Sequence, residues 1–185
     1  LEGAGGRTYF EALSFIVPER YRFDGRSRQP AKDEFNCLLN YGYGVLYSME
    51  KACLIAGLDP YVGFVHTDNY NKKALVFDLM EMFRYLADQT VVYLLTGRKV
   101  KQEWFEQVPG GLTLAKDGKA ALIEALNGTF ETSVCYRNRN IKQRDIIQFE
   151  CHRIANGLIK EAGDADLGGV RCVGDAEADE DREGV

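Results

Sequence analysis

GFVHTDNYNKKALVFDLMEMF, residues 63–83, is the stretch from which the fold and the chemistry are read outward. A short apolar run, Gly63-Phe64-Val65, leads into His66 and then into a polar, basic loop. From Ala74 the chain turns almost wholly apolar, interrupted by Asp78 and Glu81. Leu75, Leu79, Phe83 and Leu86 recur at helical spacing, which predicts a helix from Ala74 to Leu95 that Gly97 ends. Two acids three residues apart on a helix lie on one face, about a turn from each other. Acids in an apolar helix are costly to bury unless paired, hydrogen-bonded or bound to a cation. One imidazole and two carboxylates within reach of each other therefore raise a metal site as the first hypothesis. From the residues alone, an ordinary loop histidine and two helix-surface acids stay open as the alternative.

Upstream, Phe10, Leu13 and Ile16 predict a helix over 3–15, despite its glycines. Residues 18–34, with Arg20, Arg22, Arg26, Arg28 and Lys32, read as a long exposed loop whose charge could meet phosphate. Phe35, Leu38, Leu39, Leu46, Met49 and Cys53 form one stripe, so a single helix is expected from Asp33 to Gly57. Gly42 and Gly44 each cost that helix up to about 1 kcal/mol relative to Ala. In return they are expected to let another helix come close. Glu50 reads as a surface or partly exposed acid.

Downstream, residues 109–119 carry the one turn-and-strand signal, with Asp117-Gly118 as its turn, and a helix is expected over 118–128. A last helix is expected from Ile141 to Lys160, striped by Ile147, Cys151, Ile154 and Leu158. Tyr136, Arg137, Arg139, Lys142 and Arg144 cluster at its start; His152 reads as structural. The fold class is mainly α: a helical bundle of about six helices with at most a short β-hairpin, one domain over 1–162.

The bulk numbers agree with a folded chain. A 185-residue sequence with 45 % hydrophobic and 28 % charged residues can bury a sizeable core. The net charge of −5 is unevenly placed: residues 163–185 hold eight acids and two arginines, a balance of −6, which leaves +1 for residues 1–162. The 163–185 segment reads as an acidic, disordered tail. No apolar run reaches the roughly 18 residues of a membrane span, and no signal-peptide pattern is read. Five cysteines without a C-x-x-C pair fit a reduced, cytoplasmic setting. Leu1 in place of a start methionine makes a fragment or processed chain the expectation.

Several ordered blocks then resemble one family. Leu1-Glu2-Gly3 with Arg7-Thr8-Tyr9-Phe10 is similar to an E-G-x-x-x-R-x-Y-F opening, and Asn36-x-x-Leu39-Asn40-Tyr41-Gly42-Tyr43 to an N-x-L-L-N-Y-G-Y helix. Ala56-Gly57-Leu58-Asp59-Pro60, Gly63-Phe64-Val65-His66 and Phe77-Asp78-Leu79-Met80-Glu81 complete the set. Each block is weak alone; five in order resemble the all-helical, C-terminal catalytic domain of the CRISPR-associated protein 1 family, over roughly 1–160.

The resemblance implies a metal-dependent DNA endonuclease or integrase of CRISPR adaptation, which joins spacer DNA to the repeat array by phosphoryl transfer. It implies Glu2, His66 and Glu81 as metal ligands and catalytic residues, with Asp78 as an additional acid beside them. Mg²⁺ or Mn²⁺ suits that donor set, and the imidazole tilts it towards Mn²⁺. The DNA surface implied combines Arg7, Lys72, Lys73 and Arg84 with Arg137, Arg139, Lys142 and Arg144. The partners implied are double-stranded DNA (spacer fragment and repeat), CRISPR-associated protein 2, and a second copy in a full-length homodimer. The family's N-terminal β-rich domain is expected to have no counterpart in residues 1–185, and Asp68 to Lys73 replace a segment that is often Arg-rich. A non-catalytic DNA-binding or assembly module is the competing reading. A zinc hydrolase is disfavoured by the lack of an H-E-x-x-H pattern.

Overall fold

The apolar segment after the histidine loop, about six helical turns long, is the centre of the molecule. In the computed structural model, which describes residues 2–66 and 72–164, it forms a helix, α4 (Ala74–Thr96). Leu75, Leu79, Phe83 and Leu86 are buried as the stripe predicts, and Val76, Val91 and Leu95 are buried too. Apolar residues on more than one side make α4 a core helix rather than a surface one. The remaining helices are α1 (Glu2–Ile16), α2 (Glu34–Leu46), α3 (Glu50–Ile55), α5 (Lys116–Glu131) and α6 (Gln143–Asp164). Six helices among the described residues, with two short antiparallel hairpins, make a mainly α fold.

α2 packs along α4, and Gly42 shows why. A Cβ built there would stand 3.4 Å from Ala87 Cβ, so the missing side chain allows the approach. Gly44 meets nothing within 4 Å and has no such role. Asp33 caps α2 by accepting from Asn36 N at 2.7 Å. The single helix expected over 33–57 is interrupted, because Tyr47–Met49 tightens into a 3-10 turn between α2 and α3. α3 ends where the sequence signals a stop. Gly57 has φ +75°, Gly57 N donates to Leu54 O at 3.1 Å and Leu58 N to Cys53 O at 3.0 Å, a Schellman closure.

The 18–34 segment is less exposed than its composition predicts. Tyr21 and Phe23 are buried, and Phe23 stacks on Phe35 with centroids 3.9 Å apart. Arg26 donates to Asn36 Oδ1 and, at 2.8 Å, to Asn40 Oδ1, which draws the loop onto α2. Its guanidinium also lies 5.4 Å from the ring centres of both Phe10 and Tyr43.

The first hairpin pairs β1 (Phe105–Val108) with β2 (Gly111–Leu114) around Pro109-Gly110. Gly111 is required there: an added Cβ would fall 2.2 Å from Ala31 O, which accepts from Leu112 N at 2.7 Å. Asp117-Gly118, expected as the turn, instead lie in the first turn of α5. A Cβ on Gly118 would stand 2.8 Å from both the Cβ and the carbonyl oxygen of Trp104, so this glycine serves helix packing. A second hairpin, β3 (Ser133–Tyr136) with β4 (Arg139–Lys142), precedes α6 and includes Ile141, which the sequence reading put in the helix. Its turn, Arg137-Asn138, has φ of 48° and 64°, the left-handed pair of a tight β-turn. α6 buries Ile146, Ile147 and Cys151, then runs out of the core, with Leu158 and Ile159 exposed. Its backbone continues to Asp164, past Lys160, where the helix was expected to end. Residues 165–185, most of the acidic tail expected over 163–185, lie outside the described residues.

Candidate functional site

The loop before α4 is fastened onto that helix by backbone groups. Leu75 N donates to Pro60 O at 3.1 Å. A Cβ on Gly63 would meet Ala74 Cβ at 2.7 Å and Asp78 Oδ2 at 3.0 Å, so the chain crosses the helix at close range. Asp78 then gathers the loop. Its Oδ2 accepts from Phe64 N (2.5 Å) and Val65 N (3.0 Å), and its Oδ1 from His66 N (3.0 Å). Oδ1 also contacts His66 Nδ1 at 2.5 Å. Burial of this carboxyl would raise its pKa, but the bonds from Val65, His66 and Phe64 prevail and hold it below the usual carboxylate range. With Nδ1 facing a carboxylate, Nε2 is the ring nitrogen without a hydrogen-bond partner among the described residues, on an imidazole that is 43 % exposed. This is the outer arrangement that orients a metal-binding histidine.

Glu81 stands one helical turn beyond Asp78. Arg84 Nη1 donates to both of its oxygens, at 2.7 and 2.8 Å, and the guanidinium lies 4.7 Å from the centre of the Tyr43 ring. Tyr43 in turn donates to Asp88 Oδ1 at 2.6 Å, and Tyr9 donates to Asp88 Oδ2 at the same distance. Burial first, and then the negative Asp88, push both phenols well above their ordinary pKa, so they stay protonated donors. Asp88, two turns beyond Glu81 on α4, is buried between these two tyrosines. Arg26 is lowered from its usual value, chiefly by burial.

These parts form one groove of about 600 Å³ in which His66 and Glu81 both stand, although fifteen positions separate them in sequence. Arg26, Arg28, Lys72 and Arg84 supply its positive wall, and Tyr43 and Phe77 its aromatic one. Such a wall offers several donors to a phosphate chain. The groove thus brings together two of the three predicted ligands. Glu2 opens α1, but its side chain, like residues 67–71, lies outside the described residues. Among the described residues no three His, Cys, Asp or Glu side chains converge on a point suited to a metal. The donor set fits a hard divalent cation in kind, with one oriented imidazole and one carboxylate, and depends on Glu2 for its third member.

The basic residues predicted as one surface are separated. Lys72 and Arg84 line the groove, whereas Lys73 is paired with Glu50 at 2.5 Å. Arg7 is exposed on α1. Lys142 (2.7 Å) and Arg144 are both engaged by Glu131, and Arg137 and Arg139 line a different groove beside α6. Arg28 and Tyr43 were not predicted as site residues. Their signal was indirect: Arg28 in the basic loop, and Tyr43 closing the Asn36-to-Tyr43 block.

The family model described as "CRISPR associated protein Cas1" matches residues 1–128. The chain belongs to the Cas1 family. It is 37 % identical over 155 residues to "CRISPR-associated endonuclease Cas1 1" of Archaeoglobus fulgidus, a match that covers 80 % of this chain and 45 % of the relative. Among solved structures it is similar to a casposase bound to integration product (TM-score 0.82, 28 % identity, 86 % of this chain and 46 % of that one). It is similar as well to a chain of a Cas6-RT-Cas1–Cas2 complex (TM-score 0.75, 25 % identity, 86 % of this chain and 18 % of that one). The chain spans about half the length of the curated Cas1 relatives it matches.

Proposed function

We propose that this chain carries the nuclease and integrase chemistry of a Cas1 protein: phosphoryl transfer on DNA at the His66–Glu81 groove. The observation that carries the reading is the orientation of His66 by Asp78 in a groove shared with Glu81 and walled by arginines. His66 and Glu81, with Glu2, would hold Mg²⁺ or Mn²⁺, and Asp78 acts behind the imidazole rather than as a ligand. The ion, when bound, polarises a phosphate and stabilises charge on its oxygens. This chain's own residues do the rest. Asp78 fixes the imidazole tautomer and ring position, and Arg26, Arg28, Lys72 and Arg84 bind and orient the sugar–phosphate chain. Arg84 has a second task, since it holds Glu81 in place through both oxygens.

Partners follow from the same reading. Double-stranded DNA as spacer fragment and repeat is supported by the casposase, which is bound to integration product, and Cas2 by the Cas1–Cas2 assembly among the similar structures. A second Cas1 copy, in a homodimer of the longer protein, is part of the proposal. No helix of the described residues is long and apolar enough to cross a membrane.

The test is nicking and strand transfer on a labelled repeat duplex with Mn²⁺. Activity is expected to fall at least about a hundredfold in His66→Ala and in Glu81→Ala, since losing a residue merely behind a ligand already costs about 10- to 100-fold. Circular dichroism should stay unchanged in both. Parent-level activity in either variant sinks the assignment. A second reading, a binding or assembly module without catalysis, is favoured by one observation: Arg84 occupies both oxygens of Glu81. That module would bind the duplex equally with and without the ion and cut it in neither case.

A further inference from the structure

The strongest feature outside the His66 groove is a second groove of about 750 Å³ between the β3–β4 hairpin and the exposed side of α6. Arg137 and Arg139 reach it from the hairpin, and His152, Arg153 and Lys160 from the helix. No acid lines it. The nearest carboxylate, Glu150, is largely buried and already committed: it accepts from Arg153 Nε at 2.7 Å and from the Tyr136 hydroxyl, with Arg137 3.8 Å away. Glu150 therefore ties the turn to the helix and sets two arginines at one edge, while Arg139 and Lys160 have no ion-pair partner among the described residues. Four permanent cations over one acid leave a clear positive excess. By contrast, Lys142 and Arg144, close by in sequence, share Glu131 and contribute little free charge.

Charge alone would suit any polyanion; the aromatic side chains narrow it. Phe149 is 48 % exposed within the groove, and Tyr136 lies 5.3 Å beneath the Arg137 guanidinium. An exposed ring set among cations stacks on bases that have left a duplex, whereas paired bases present no face to it. From Phe149 to Lys160 the helix rises about 16 Å, the span of a few nucleotides. Gly157 adds no side chain along that path.

We propose that this groove binds single-stranded nucleic acid, with the phosphates along Arg139 and Lys160 and a base stacked on Phe149. No described residue lining it also lines the His66 groove, so the two assignments stand or fall separately.

The test is fluorescence anisotropy of a short labelled oligothymidylate with the full chain, in EDTA. Arg139→Ala/Lys160→Ala is expected to weaken binding about tenfold or more near 0.1 M salt. Its salt slope should be shallower by about 1.4, because each single-strand phosphate contact contributes about 0.7. Phe149→Ala should weaken binding by about 5-fold to 100-fold with the slope unchanged, and Phe149→Tyr should restore it. Unchanged affinity in both the double variant and Phe149→Ala overturns the proposal. So does equal competition by blunt duplex of the same length, or by polyglutamate, which would mark the groove as a generic or protein-directed polyanion surface.

Discussion

At the scale of single residues, Asp78 does more than either predicted ligand to define the site. One carboxylate satisfies three consecutive backbone N–H groups and one imidazole, so its charge is built into the loop's conformation. Asp78→Asn keeps the shape but removes the charge, and should destabilise the fold by about 1.5–3 kcal/mol at pH 7, the usual worth of bonds to a charged group. The sign with pH follows from its lowered pKa. The contribution is complete above the unfolded-state value of about 4 and is lost as pH falls through the lower folded value. Urea unfolding at pH 7 and again near pH 2.5 should show the gap between parent and variant closing; a gap that stays constant excludes the charge as its cause. His66 and Glu81 were legible as candidates because costly residue types interrupted apolar runs, with the family resemblance setting Glu81 ahead of Asp78 as a ligand. The role of Asp78 was not, since its main partners are backbone amides, which every residue has. The burial of Asp88 was not legible for a related reason: its partners, Tyr9 and Tyr43, arrive from α1 and α2, and helical spacing within α4 carries no information about them.

At the scale of elements, the two glycines of α2 provide an internal control. Gly44 sits in a helix with open space around its missing side chain, and Gly42 sits against Ala87. Gly44→Ala should stabilise the protein by about 0.5–1 kcal/mol through helix propensity alone. Gly42→Ala should gain less or lose, because a methyl at 3.4 Å from Ala87 Cβ forces α2 and α4 to adjust. Paired thermal melts read the difference, and equal gains at both positions would mean that the α2–α4 contact tolerates the methyl. The sequence showed α4 well, since its stripe runs unbroken between a polar loop and Gly97. It showed the break at Tyr47–Met49 poorly, because the apolar stripe passes through the 3-10 turn without a Pro or Gly to mark it. The β3–β4 hairpin was missed because its turn is Arg137-Asn138, without the glycine that announces Pro109-Gly110. Its basic residues looked instead like the start of α6.

At the scale of the molecule, charge is divided more sharply than elements are. Residues 165–185 hold seven acids and two arginines, so a chain ending at Asp164 has a net charge of zero where the full chain has −5. Both basic grooves lie on the part that remains. A polyanion approaching either groove meets the field of the whole chain as well as the local arginines, and that field is long-ranged only where salt is low. Truncation after Asp164 should therefore tighten DNA binding at about 0.03 M salt, mainly through a faster association rate. The gain should fade towards about 0.3 M, where the Debye length has shrunk to a few ångströms. Stopped-flow association across that range separates this from a local effect. A truncated chain that binds more tightly by the same factor at every salt concentration would mean that the acidic segment competes for a groove by contact. One that binds no more tightly at any concentration would mean that local arginines alone set the affinity.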